Sequence, residues 1–423
     1  MHVYFSGIGG VGIGPLALLA LDAELTVSGS DLQASELTTS LEERGANVAI
    51  GQDGSHLRKI YGKQPIDWFV YTSALPPDHP ELRAAQEKGI KTSKRGDFLN
   101  ELLEKLDLKM IAVAGTHGKT TTTGMLIWLF KQLDLPVSYS VGTTLSFGPA
   151  AQYQKDSEYF IYECDEFDRN FLTFHPEASL ITSLDYDHPD TYPTQQEYFD
   201  AFAQFSEQSK LTILWEQDAA KIQSEGNLFV LTKPEELAQI ALAGEHNRRN
   251  AWLACSTINR LGFVENTIAD WKQLLKIASD FPGTNRRFEK IAENLYSDYA
   301  HHPTEIQATI QMAYELNPNV IVIYQPHQNI RQRELLENGG YGSCFSGAKK
   351  VYWLPTYLSR EDGSKVLSPE ELSATIKDGS VELADMNDQL RKKIEQHREE
   401  GDLVVAMSAG NLDTWAREQV RKN

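Results

Sequence analysis

Apolar and polar positions along the chain follow two recurring patterns. Short apolar runs at residues 3–6, 25–28 and 68–72 read as strands. Between them, the stretches reaching about residue 23 and covering 37–44 and 81–88 space their apolar side chains as amphipathic helices do. A charged helix is expected over 96–107, then a new apolar strand over 110–114. Further strands are expected at 160–163, 178–183 and 211–214, and helices from His246 to about 261 and from about Asn266. Pro282-Gly283 punctuates the pattern, and strands at 320–324, 350–354 and 403–407 come after it. This order predicts an α/β protein with helices covering parallel sheets, in three units spanning 1–107, 108–283 and 284–423.

Composition narrows the class of function. The 423 residues are 41% hydrophobic and 23% charged, which is ordinary for a folded protein and argues against disorder. With 40 basic and 59 acidic side chains the formal charge is −19, so neither nucleic acid nor an anionic membrane is an expected partner. The apolar run 15–21 stops at Asp22, too short for a membrane span, and no leader pattern is visible; a cytoplasmic protein is expected. Cys164, Cys255 and Cys344 lie far apart without metal-type spacing and read as buried thiols of a reducing compartment.

Two glycine loops carry the first chemistry. Gly7-Ile8-Gly9-Gly10-Val11-Gly12 follows a strand and opens a helix, so its backbone can approach a diphosphate held on helix N–H groups. Asp31, at the end of the second strand, is placed for ribose hydroxyls. Alone, this loop suggests a NAD-binding oxidoreductase and leaves open which nucleotide it holds. Ala114-Gly115-Thr116-His117-Gly118-Lys119-Thr120-Thr121 forms a second strand–loop–helix cradle. There Lys119 is a point charge for β/γ-phosphates and the Thr120 hydroxyl a Mg²⁺ ligand. Val113 stands where the GxxxxGK[ST] pattern has its first glycine, so this loop is a shorter variant. Two such cradles suggest an ATP-consuming enzyme acting on a nucleotide-bearing substrate.

Acidic segments complete the pattern. Glu163-Cys164-Asp165-Glu166 ends a strand beside the second cradle, where Mg²⁺ ligation belongs in sheets of this kind. His188 lies in the acidic loop 183–190, where a second divalent ion bridging phosphates would employ it.

Taken in order and spacing, these segments resemble the Mur ligases, the ATP-dependent amide-forming family of peptidoglycan synthesis. The resemblance also rests on Gly244-Glu245-His246-Asn247-Arg248-Arg249-Asn250-Ala251, Arg286-Arg287-Phe288-Glu289 and Asp298-Tyr299-Ala300-His301-His302-Pro303-Thr304-Glu305, and it covers essentially the whole chain. It implies a Rossmann-like N-terminal domain for a UDP-sugar, a P-loop ATPase-type central domain, and a Rossmann-like C-terminal domain for the amino acid. Within the family, the pattern, with Gln325-Pro326-His327, most resembles the branch that joins L-alanine to the lactyl carboxylate of UDP-N-acetylmuramate. The branch that attaches a recycled tripeptide to the same sugar nucleotide is the main rival.

The resemblance implies roles residue by residue. Gly115, Thr116, His117, Gly118, Lys119, Thr120 and Thr121 would cradle ATP, with Asn247 and Asn250 near the adenine and Arg287 and Asp298 reaching the nucleotide. Thr120, Glu163 and His188 would serve two Mg²⁺ ions. Gly9, Gly10, Val11, Gly12, Asp31 and Ser73 would hold the UDP-sugar, and His301, His302, His327, Arg331 and Arg333 the amino-acid pocket. The implied catalytic set is Lys119, His188, His302 and Arg287, with His302 a candidate base for the attacking amine. Val141-Gly142-Thr143, Ser408-Ala409-Gly410-Asn411 and Gln328-Asn329 depart from the family's usual loops, which bears on amino-acid identity more than on reaction type. Phe202 stands where later-acting members carry a carbamylated lysine, in keeping with the alanine-adding type. An inactive nucleotide-binding relic is a further alternative.

Overall fold

The computed structural model describes residues 1–421 apart from 73, 266, 360, 362, 364, 378 and 379. Ser73, expected at the UDP-sugar, therefore lies outside the described residues. The described strands form three sheets.

The first sheet contains β1 His2–Ser6, β2 Thr26–Asp31, β3 Asn47–Ile50, β4 Trp68–Tyr71 and β5 Lys91–Lys94, in the order β3-β2-β1-β4-β5. Every pairing in it is parallel. Side chains alternate across β1: Val3 and Phe5 join one core, while Tyr4 joins Phe69 and Leu82 in another. The strand order reverses between β1 and β4, the place where open α/β sheets leave a crevice for ligands. The glycine loop leaves β1 at that crevice.

The second sheet contains β6 Lys109–Ala114, β7 Val137–Ser140, β8 Ala151–Gln152, β9 Tyr159–Glu163, β10 Ala178–Ile181, β11 Thr212–Trp215 and β12 Leu228–Leu231. Its order is β12-β11-β10-β6-β9-β7-β8, with only β8 antiparallel to its neighbour among these strands. The third contains β13 Glu289–Ala292, β14 Leu295–Asp298, β15 Val320–Tyr324, β16 Ala348–Trp353, β17 Val381–Leu383 and β18 Leu403–Met407, ordered β13-β14-β18-β15-β16-β17. Here β13 and β14 are antiparallel and the other pairings are parallel.

The described chain divides into two compact units, residues 1–235 with 250–281, and residues 236–249 with 282–423. The first unit holds the first two sheets, which share one continuous apolar core running from Val3 and Phe5 through Leu99 and Leu102 to Phe160, Phe171 and Phe202. The helix Arg95–Lys105 contributes Leu99 and Leu102 to that core, and its Asn100 amide donates to Thr173 O at 2.7 Å. In the second unit, Val320, Val322 and Tyr324 of β15 pack on one side of the sheet and Ile321 and Ile323 on the other. No helix of the described residues is long and apolar enough to cross a membrane. The three cysteines are free and buried.

Candidate active site

Strand β6 lies between β10 and β9, so the loop that leaves it is flanked by the carboxyl ends of both neighbours. Gly115 and Gly118 take φ of +126° and +83°, conformations that suit glycine. A Cβ on Gly118 would stand 2.9 Å from Asn250 Oδ1, so Asn250 packs directly on the phosphate loop. The loop is tied down from the β10 side. Thr116 Oγ1 accepts from Asp185 N at 2.8 Å, the His117 N–H donates to Ser183 Oγ at 3.0 Å, and His117 Nε2 lies 3.2 Å from Asp185 Oδ2. The helix Lys119–Gln132 begins at the loop's end, with Thr121 half-buried in its first turn.

From the β9 side comes the acidic turn. Lys119 Nζ lies 2.9 and 2.8 Å from the two carboxylate oxygens of Glu166, whose side chain is 1% exposed. Burial opposes the lysine's charge, yet Glu166, with smaller help from Asp165 and Glu163, outweighs it, and the Lys119 pKa is raised. Burial likewise opposes the Glu166 charge, and Lys119 and His188 outweigh it, so its pKa is lowered. Glu166 belongs to the acidic segment Glu163-Cys164-Asp165-Glu166, and nothing in that run of residues signals that it, rather than Glu163, pairs with the lysine. A side chain's direction after a strand end depends on the turn, here set by Tyr192 OH donating to Glu166 O at 2.6 Å.

Glu163 instead accepts from Thr120 Oγ1 and from Gly142 N, each at 2.7 Å. His188, at φ +58°, places Nε2 at 3.6 Å from Glu166 Oε1 and 3.7 Å from Asp187 Oδ2. Brought together from three elements, the start of the helix Lys119–Gln132, the turn after β9 and the loop after β10, a threonine hydroxyl, carboxylates and an imidazole offer a donor set that suits Mg²⁺, a hard cation preferring oxygen. Cys164, between these acids, is wholly buried, and burial followed by the Asp165 and Glu166 charges pushes its thiol well up. It is a packing residue, not a nucleophile.

At the first loop, the Gly7 and Ile8 N–H groups donate to Ser30 O at 2.8 and 2.9 Å, fixing its exit from β1. Gly10 and Val11 are exposed, Val11 to 85%. Asp31 does not stand clear of the loop: Oδ2 accepts from Gly9 N at 2.9 Å and Oδ1 from Gln33 N at 3.3 Å.

The remaining expected residues lie in the second unit. Asn247 donates to Ala243 O at 3.2 Å on the first turn of the helix Glu245–Arg260, in a segment apart from Asn250's unit. Asp298 ends β14 and accepts from Phe288 N, Ala300 N and Thr309 Oγ1 at 2.7, 2.8 and 3.2 Å. Burial raises its pKa to about 6, with the nearby Arg287 charge acting against the rise. Both Arg286 and Arg287 lie over the Tyr299 ring, at 4.8 and 5.0 Å.

His301 Nε2 faces Arg331 Nη1 at 3.3 Å. A guanidinium can only donate, so the ring hydrogen sits on Nδ1, which reaches Tyr299 O at 3.1 Å. Burial holds His301 below its ordinary value and His327 down at about 4, so both rings are neutral at pH 7. His327 stacks on Tyr357 at 5.9 Å and lies 6.1 Å from His301. His302 caps the helix Pro303–Leu316 through Nδ1, which accepts from Thr304 N. Arg331 joins this group; Arg333 does not. It is exposed and donates to Lys365 O, because lying two residues further along the helix turns it away from the face that carries Arg331.

The chain is similar to known proteins along nearly its whole length. The description "Mur ligase family, catalytic domain" matches residues 2–106, "Mur ligase middle domain" 113–228, and "Mur ligase, glutamate ligase domain" 286–410. The UDP-N-acetylmuramate–L-alanine ligase of Thermosynechococcus vestitus is 31% identical over 97% of this chain and 93% of its own length. Among solved structures, a UDP-N-acetylmuramate–alanine ligase from Thermotoga maritima aligns with a TM-score of 0.72 at 23% identity, covering 100% of this chain and 99% of that one. A murein peptide ligase from Psychrobacter arcticus aligns at 0.66 with 23% identity, covering 100% and 98%. With sequence similarity running nearly end to end over the three sheets and both loops, the chain belongs to the Mur ligase family.

Proposed function

We propose that this chain is an ATP-dependent ligase that joins L-alanine to the lactyl carboxylate of UDP-N-acetylmuramate. The ligase reading is carried by the phosphate loop, where Lys119, Thr120 and Glu163 converge beside buried Glu166. The choice of alanine is supported by the whole-length similarity to curated L-alanine ligases.

An amide cannot form from a carboxylate in water without activation, so the γ-phosphoryl group of ATP goes first to the lactyl carboxylate. The amine then attacks the acyl phosphate and phosphate leaves. Lys119 and the loop N–H groups position and neutralise the phosphates, with Thr120, Glu163 and His188 holding Mg²⁺, two ions in this proposal. When bound, the metal spreads the charge of the phosphoryl oxygens. Asn250 supports the loop, while Asn247, Arg287 and Asp298 serve the nucleotide. Gly9, Gly10, Val11, Gly12 and Asp31 hold the UDP-sugar. His301, His302, His327 and Arg331 form the alanine pocket, with His302 as candidate base. In this assignment residues 1–107 bind the sugar nucleotide, 108–283 bind ATP and 284–423 bind the amino acid, in the cytoplasm.

Phosphate release with UDP-N-acetylmuramate, ATP and Mg²⁺, given L-alanine, L-serine, glycine or the tripeptide in turn, tests this function. Turnover with L-alanine is expected. Turnover with the tripeptide alone would favour the second reading, which the fit to the murein peptide ligase supports. Binding of NAD(P)H without UDP-N-acetylmuramate would retire both.

A further inference from the structure

One cation in the first unit has no part in the chemistry above, although it lies where both cradles could use it. Arg95 begins the helix Arg95–Lys105, immediately after β5. Its guanidinium lies against the first glycine loop so closely that a Cβ on Gly12 would stand 2.5 Å from Nη1. Its Nη2 reaches 3.3 Å from Asp165 Oδ2, in the acidic turn beside Glu166. The arginine side chain is 21% exposed and the aspartate 44%.

We propose that Arg95 binds the diphosphate of the sugar nucleotide, exchanging Asp165 for phosphate oxygens when that substrate arrives. The inference rests on the sugar-nucleotide reading of the first loop. Three observations converge on it. The loop 7–14 contains no lysine or arginine, so a diphosphate there would have only backbone N–H groups and partial helix charge to meet it. Arg95 supplies the missing full charge at Gly12, on the helix side of the loop where a diphosphate rests in folds of this kind. The contact with Asp165 is a single half-exposed pairing, and such pairs are weak and easily exchanged. A diphosphate offers two charges and the oxygen spacing that a planar guanidinium fork matches bidentately. Gly12 is then explained as well: any side chain there would displace the guanidinium from the loop.

The test is isothermal titration of UDP and of UDP-N-acetylmuramate into wild-type protein, Arg95→Ala, Arg95→Lys and Asp165→Asn, with ATP binding measured on each. Arg95→Ala should weaken both UDP ligands by the same factor, about 10- to 100-fold. ATP affinity should stay unchanged, which also shows that the variant is folded. Arg95→Lys should recover only part of the loss, since lysine lacks the fork, and it serves in place of Arg95→Ala if that variant does not fold. Asp165→Asn should bind UDP as well as or better than wild type. Unchanged UDP affinity in Arg95→Ala overturns the proposal, as does a loss confined to UDP-N-acetylmuramate, which would make the lactyl carboxylate the ligand. If wild-type protein binds neither UDP compound, the sugar-nucleotide reading itself fails, a result distinct from either of those.

Discussion

Lys119 and Glu166 form a buried ion pair in which the ammonium group touches both carboxylate oxygens. The lysine's charge is therefore matched before any phosphate arrives, and a nucleotide must compete with Glu166 for it. Lys119→Ala should abolish phosphate release while leaving UDP-N-acetylmuramate affinity nearly intact. Because it strands a buried carboxylate, it should also cost about 3–5 kcal/mol of stability, which a thermal melt would register. Normal phosphate release by this variant would refute the role of the loop.

Glu163 has a different task from Glu166, and the two should separate experimentally. Glu163→Gln keeps an acceptor for Thr120 or Gly142 but halves the oxygen donors and removes the charge. The Mg²⁺ concentration for half-maximal phosphate release should rise at least ~10-fold, with a melting temperature close to wild type. A changed melting temperature with unchanged Mg²⁺ dependence would make Glu163 a structural residue only.

Gly118→Ala probes the contact between the phosphate loop and Asn250. The position combines φ +83° with a Cβ that would meet Asn250 Oδ1 at 2.9 Å. A cost of about 1–3 kcal/mol and a marked loss of ATP affinity are expected, with UDP affinity preserved. Equal losses for both ligands would point to general unfolding of the unit.

Asp298 gives the second unit a pH dependence of predictable sign. Its folded value of about 6 lies above the ordinary range, so its contribution to stability is complete below ~4 and disappears as pH rises through about 6. The size is of order 2–3 kcal/mol. Asp298→Asn should flatten that slope in melts followed between about pH 4 and about pH 7. It should also lower stability throughout, since the new amide cannot both accept from Phe288 N and keep its other bonds. A variant with the wild-type slope would show that another group titrates.

The architecture was legible wherever an element combines a long apolar run with burial, as in β1, β6, β15 and β18. Strands β3 and β5 escaped because they are four residues long and half-exposed, and β5 reads Lys-Thr-Ser-Lys without one apolar residue. They become strands because a parallel neighbour is already in place to pair with them. At the site, the loop residues could be named from spacing because backbone geometry fixes them. The partner of Lys119 could not, since Glu163, Asp165 and Glu166 are adjacent in sequence and only the turn decides which faces the loop. Arg333 shows the same limit on a helix, where two arginines separated by one residue meet different surroundings.

Cys164 has a practical consequence of its own. It lies in sequence between Glu163 and Glu166, which hold Thr120 and Lys119, and its thiol is buried in the apolar core and kept protonated by its surroundings. A thiol reagent can therefore reach it only when the acidic turn comes loose, so the rate of alkylation counts those openings. The phosphate site thus carries, directly beneath it, a native reporter of its own opening.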